Sequence, residues 1–303
     1  MPKTTRFVIQ MVLAAALMFS GFVTLAAQES ASLPVPAVQI IPHFEEGYVG
    51  VLYHHYQSGV GGTDFNFVTQ GGQDILFPYQ RYSVDVVLGG HHRITFLYQP
   101  LTLNTRTVVD KNSASTDDIV IDGTHFPSGT PLDVTYGFDF WRMSYLYDFS
   151  NNPRTILGIG ASLQVRNASI VFTSNGLPAP VSGPTEARAV SQNIGPVPIL
   201  KMHAAHWFSP LFGLDFEADG FYASSAFFNG ATRAFTGWIW DAALSAKSQI
   251  MPNAAAFLTV RSIGGGASGS NAYSTTATTS SSESPTYNAL ATVAVTLGAT
   301  IQW

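Results

Sequence analysis

The sequence predicts an all-β protein, a transmembrane antiparallel up-and-down β-barrel of ten strands, with eight or twelve as the alternatives. Three observations predict it. Charged residues make up only 11% of the 303-residue chain while hydrophobic residues make up 46% and aromatics 13%, against roughly 25% charged in ordinary soluble domains. After residue 27 no apolar run approaches the ~18–20 residues that a spanning helix needs. The apolar residues instead recur at alternate positions in ten short segments, which is the period of strands with two unlike faces.

The N-terminus comes first. Lys3 and Arg6 precede an apolar run from Phe7 to Val23, and the small residues Ala26 and Ala27 lead into Gln28, Glu29 and Ser30. This three-part layout predicts a secretory signal peptide over residues 1–27, cut near Ala27. The chain has no cysteine, so no lipid-anchored cut site and no disulfide is available. Residues 28–45, with Pro34, Pro36 and Pro42, read as a lead-in, and residues 46–303 as the barrel domain. The net charge of −5 gives no basic footprint for nucleic acid.

Strands are expected near 46–57, 79–90, 92–109, 131–149, 154–173, 189–208, 211–224, 232–249, 253–264 and 286–303. The last alternates most cleanly. Tyr287, Val293, Val295, Leu297, Ile301 and Trp303 share one face, opposite Asn288, Thr292, Thr296, Thr300 and Gln302. In the fifth, Leu157, Ile159, Leu163 and Val165 oppose Gly158, Gly160, Ser162, Gln164 and Arg166. The second face carries Gly, Ser, Thr, Asn and Gln with isolated charges, which suits a crowded barrel interior better than a soluble surface. Aromatics such as Tyr82, Tyr98, Trp238 and Trp240 near strand ends fit an interfacial girdle. The third and fourth strands switch face near Pro100 and near Phe140–Trp141, which predicts bulges there. Short links follow the even strands and long links the odd ones, the pattern of short periplasmic turns and long outer loops.

The final eight residues, TLGATIQW, place Thr296, Gly298, Ile301 and Trp303 at the chain end. They resemble the C-terminal β-signal of bacterial outer-membrane barrel proteins. The resemblance implies an outer-membrane address, with outer-membrane lipid, a barrel assembly machinery and periplasmic chaperones as partners. The chain is expected to be a monomer, with no cofactor and no metal.

Inside the barrel, alternation places Asp85, Asp133, Asp139, Arg142, Arg166, Lys201, His203, Asp215, Glu217, Asp219, Asp241, Lys247 and Arg261. Strand neighbours would set Lys201 and His203 against the stripe Asp215, Glu217 and Asp219, with Lys247 beyond. Buried charges persist when paired and hydrogen-bonded, so this set predicts a mostly occluded polar lumen. The functional expectation is a non-enzymatic barrel with exposed loops, structural, adhesive or a narrow pore. The alternatives are a small selective channel and an enzyme with its site at the rim. Omptin-like proteases, ten-stranded barrels with acidic pairs and a histidine at the rim, are the fair comparison for the second. Asp117, Asp118, Asp122 and His125 do not reproduce their spacing. For a lipid hydrolase the nearest set is His203, His206 and Ser209. The pairs His54–His55 and His91–His92 fit strand and turn positions better than a metal site, whose ligands share a face.

Overall fold

The computed structural model describes residues 37–59, 61–109, 118–152, 154–175, 186–225, 235–271 and 284–303. The proposed signal peptide lies outside the described residues. The elements in chain order are β1 (Val38–Ser58), β2 (Phe65–Asn66), β3 (Leu76–Leu88), β4 (His92–Gln99), β5 (Thr102–Val108), β6 (Ile119–Ile121), β7 (Thr124–Phe126), β8 (Pro131–Asn151), β9 (Thr155–Asn175), β10 (Glu186–Trp207), β11 (Phe212–Ser224), β12 (Phe235–Met251), β13 (Ala254–Asn271) and β14 (Ser284–Ile301). Ten of these positions form one ring of antiparallel strands, in which β4 and β5 are two halves of one stave, both paired with β8. β14 closes onto β1, with His43 opposite Thr300 and Ser58 opposite Thr286. At the end of that seam Ile40 and Trp303 exchange both backbone hydrogen bonds at 3.1 Å. The protein is a closed ten-stranded barrel. Closure matters because an unpaired backbone N–H or C=O in hydrocarbon costs several kcal/mol, roughly.

β1 begins at Val38 and not at residue 46. Pro42 obscured this start. The Ile40 N–H faces β14, so the nitrogen of Pro42, two residues on, faces the same neighbour and donates nothing. Pairing with β3 runs unbroken through it, Pro42 lying opposite Val84.

The expected face switches at Pro100 and Phe140–Trp141 are absent. Gln99 pairs with Phe140 and Thr102 with Gly137, so the register across Pro100 is continuous. The register shifts lie instead at Val51/Tyr53, Asp148/Ser150 and Gln249/Met251. What changes near Trp141 is the polarity of each face. On β8, outward Trp141, Met143, Tyr145, Tyr147 and Phe149 are exposed, and inward Arg142, Ser144 and Asp148 are buried. Toward the other end of β8, the inward row becomes Phe140, Tyr136, Val134 and Leu132, and the outward row becomes Asp139, Thr135 and Asp133. β9 does the same: outward Ile159, Leu163 and Val165 give way to Asn167, Ser169 and Thr173, and inward Ser162 and Gln164 to Ile170 and Phe172. The barrel leaves its apolar sleeve partway up. Above that level it is built like a water-soluble protein.

The upper interior is a core of rings and branched side chains. Tyr56, Phe77, Tyr79, Leu103, Leu132, Tyr136, Ile170 and Phe172 from the wall meet Phe65, Phe67, Ile121 and Phe126 from two long links folded into the mouth. Phe65 packs edge-on against Phe172 with centroids 5.4 Å apart, and Phe67 stacks on His54 at 3.7 Å. Gln73 completes the fit, meeting His54 Nδ1 at 3.2 Å and donating to Thr105 at 3.0 Å. On the outer face, Tyr98 stacks on Trp141 at 5.0 Å, and Trp238 and Trp240 lie over Gly266 and Gly264, where a Cβ would collide with the indoles.

Candidate functional site

Below the apolar core, inward side chains from most of the staves converge on a layer of buried charge. Asp241 sits at its centre with no exposure. Its carboxylate receives Arg81 at 3.1 Å, Arg142 at 3.0 Å and Arg261 at 2.9 Å. Arg142 also donates to Asp219 at 2.7 Å and twice to Gln164 Oε1, at 3.0 and 2.7 Å. Lys201 bridges Asp219 and Glu217, at 3.3 and 3.4 Å. Arg261 reaches across to Glu45 at 3.0 Å, whose other oxygen accepts from Thr296. Arg81 and Tyr79 both donate to Gln99 Oε1, at 2.6 and 2.9 Å, joining the layer to the core above it.

Two smaller clusters lie nearer the short turns. Arg93 binds Asp85 at 2.7 Å and Asp148 at 3.0 Å, and Thr95 donates to Asp85 at 2.6 Å. Gly158 makes room for the Asp148 carboxylate, which a Cβ at that position would strike. Asp215 takes His203 at 3.2 Å together with Lys247. Across the three clusters six cations (Arg81, Arg93, Arg142, Lys201, Lys247, Arg261) face seven carboxylates (Glu45, Asp85, Asp148, Asp215, Glu217, Asp219, Asp241). Near balance of this kind is what keeps charge tolerable away from water. A cavity of about 190 Å³ lies beneath the layer toward the short turns, lined by Ser245, Lys247, Asn253 and Gln302 among others.

Ten of the predicted lumen residues point inward and join these clusters: Asp85, Arg142, Lys201, His203, Asp215, Glu217, Asp219, Asp241, Lys247 and Arg261. Lys201 and His203 do face the stripe on β11, Lys201 lying opposite Asp219 and His203 opposite Glu217. Arg166 stands apart, beside Tyr136 under the apolar core. Asp139 and Asp133 lie on the outward row. Asp139 accepts the Leu101 backbone N–H at 3.0 Å where Pro100 interrupts the ladder, and Asp133 pairs with exposed Arg106 at 2.7 Å. Both stand above Trp141, where the polar face is the outer one. The sequence reading missed Glu45, Arg81, Arg93, Asp148 and His43, whose Nε2 lies 3.4 Å from the Asp85 carboxylate. Arg81 shares the parity of Asp85, and Asp148 that of Arg142, so alternation alone would have found both. Glu45 and His43 fell in the segment read as lead-in.

The enzyme-like sets do not assemble. Asp118 and His125 meet at 3.4 Å on the exposed hairpin of β6 and β7, Asp122 forms its turn with a φ of 49°, and Asp117 lies outside the described residues. His203 points inward, whereas His206 faces outward and binds Thr155 at 2.8 Å. The Ser209 hydroxyl accepts the backbone N–H of Phe212. His54 is buried in the core while His55 turns to Asp64; His91 binds the Asp148 carbonyl and His92 the Tyr145 hydroxyl. Among the described residues no group of three His, Cys, Asp or Glu is placed to hold a metal.

A solved structure shares this architecture. The outer-membrane protease OmpT of Escherichia coli is similar with a TM-score of 0.51 at 12% identity, over 91% of this chain and 100% of that one. The fold is that of a bacterial outer-membrane β-barrel. The toluene transporter TodX of Pseudomonas putida aligns at a TM-score of 0.34 and 7% identity, over 88% of this chain and 90% of that one. A FadL homologue of Pseudomonas aeruginosa aligns at 0.32 and 9%, over 88% and 89%. No family model matches the chain, and no curated protein matches it in sequence.

Proposed function

We propose that the chain is an outer-membrane barrel that performs no chemistry and conducts no solute, a rigid pedestal carrying long outer loops. One observation carries this reading: the interior is filled twice, by paired charge within the apolar sleeve and by packed rings above it. The arginines of the lower layer are each bound to carboxylates, and the rings of the upper layer pack against one another. Asp241 is engaged by three arginines and has no exposed surface, so its carboxylate is not presented to a substrate. In this reading the long links face the exterior, the short turns face the periplasm, and the apolar sleeve contacts outer-membrane lipid. Export through cleavage near Ala27, periplasmic chaperones and insertion by the assembly machinery through Thr296, Gly298, Ile301 and Trp303 belong to the same proposal.

Single-channel recording in planar bilayers tests it. The refolded protein is expected to give no stable conducting steps, and regular open steps would replace the pedestal with a narrow pore. A second reading, a rim-site hydrolase, has one observation in its favour, the Asp118–His125 pair. Turnover of peptide or lipid A substrates that disappears in His125→Ala would establish it.

A further inference from the structure

On the wall formed by β14, β1 and β3, one outward row runs Ile40, Pro42, Phe44, Glu46, Tyr48 and its neighbour Leu76, Pro78, Gln80, Tyr82, Val84. Glu46 lies opposite Gln80, and the Gln80 amide donates to the Glu46 carboxylate at 3.1 Å. Apolar residues flank the pair above, below and on β14, where Leu297 is opposite Glu46. Two of the strongly exposed large apolar side chains adjoin it, Leu297 at 70% and Tyr48 at 62%, and Leu52 and Leu76, both at 60%, lie further along the same wall. Polar groups on a lipid-facing surface are costly and sparse. On the other side of the barrel the exposed outward row of β9 is apolar without interruption from Ile159 to Val165.

We propose that this wall is where two copies of the chain associate in the membrane. The Glu46–Gln80 pair is self-complementary. A two-fold axis along the membrane normal, passing between the two residues, sets Glu46 of each copy against Gln80 of its partner. An isologous contact of this kind repeats one residue pair twice. A carboxylate accepts several donors and a primary amide carries two N–H groups, so the bond within each copy survives while a second forms across the interface. Lipid tails supply neither group. The exposed Tyr48 and Leu297 flank the axis and pack around the polar centre. This inference rests on the membrane-embedded reading above and departs from the monomer that the sequence alone suggested.

The chain has no cysteine, which makes single-thiol cross-linking in membranes clean. Tyr48→Cys, treated with a short bis-maleimide, is expected to give a dimer band several-fold stronger than Leu163→Cys on the opposite wall. Adding Glu46→Leu with Gln80→Leu, which makes the wall wholly apolar and does not hinder insertion, is expected to bring Tyr48→Cys down to the level of Leu163→Cys. Equal bands from the two positions, or a Tyr48→Cys band unmoved by the leucines, would overturn the proposal. Each sample is also run boiled and unboiled. A protein that shows the folded-barrel mobility shift but no selective dimer refutes this interface alone, whereas absence of the shift refutes membrane insertion itself.

Discussion

The two ends of the barrel solve opposite problems with the same strands. Between Trp141 and Phe149, β8 turns Trp, Met, Tyr and Phe outward and Arg, Ser and Asp inward; between Leu132 and Phe140 it turns apolar residues inward and Asp and Thr outward. No residue is inserted between the two stretches and no side chain changes face. Only the solvent changes. Where hydrocarbon surrounds the barrel, burying apolar groups gains nothing, so order comes from the closed ladder and from charges that satisfy one another. Where water surrounds it, the ordinary hydrophobic effect returns and the interior fills with Phe, Leu and Tyr. The difference teaches that alternation reports which residues share a face, while the sign of the polarity reports what lies outside.

The comparison can be broken at either end. The largest effect is expected in the charged layer. Asp241→Ala takes one carboxylate from three buried arginines at once, leaving each only its remaining partners, and should cost about 3–5 kcal/mol, read as a lower urea midpoint for loss of the folded-barrel gel mobility. In the upper core Phe172→Ala removes a fully buried ring and should cost about 3–5 kcal/mol, toward the lower end because the two links folded over it can settle inward. A change below about 1 kcal/mol would mean that the upper interior is not tightly packed. A third test uses one outward row of β9. Leu163→Arg should destabilise by about 2–4 kcal/mol, as arginine does on a lipid face, with Ser169→Arg near zero. Similar costs at the two positions would erase the boundary between the halves. Last, Arg106→Ala removes an ion pair in which the arginine is 85% exposed and should leave the urea midpoint unchanged; a clear loss would show that the upper outer face is not bathed in water.

The barrel was legible in the sequence because a closed sheet between lipid and a crowded lumen needs alternation along every strand and unequal links between them. Asp215, Glu217 and Asp219, two residues apart on β11, announced an inward stripe, and Lys201 and His203 on the preceding strand its partners. Asp139 and Asp133 were misplaced for a physical reason. Treating every charged residue as inward assumes lipid along the whole strand, and these two stand above it. The expected switch at Pro100 had the same origin, since a reversal of polarity looks like a reversal of face when only one solvent is considered. Phe65, Phe67, Ile121 and Phe126 carry no strand pattern, and their place in the mouth depends on contacts distant in sequence.

The most direct test of the central claim is a depth scan along the outward row of β9. Single cysteines from position 157 to 173, each carrying a fluorescent label in reconstituted bilayers, would be quenched by brominated lipid or by aqueous iodide. Lipid quenching is expected at Leu163 and Val165 and iodide quenching at Ser169 and Thr173, with the crossover just above Val165. Lipid quenching that persists through Ser169, or iodide quenching at Leu163, would contradict a barrel whose apolar sleeve ends where its packed core begins.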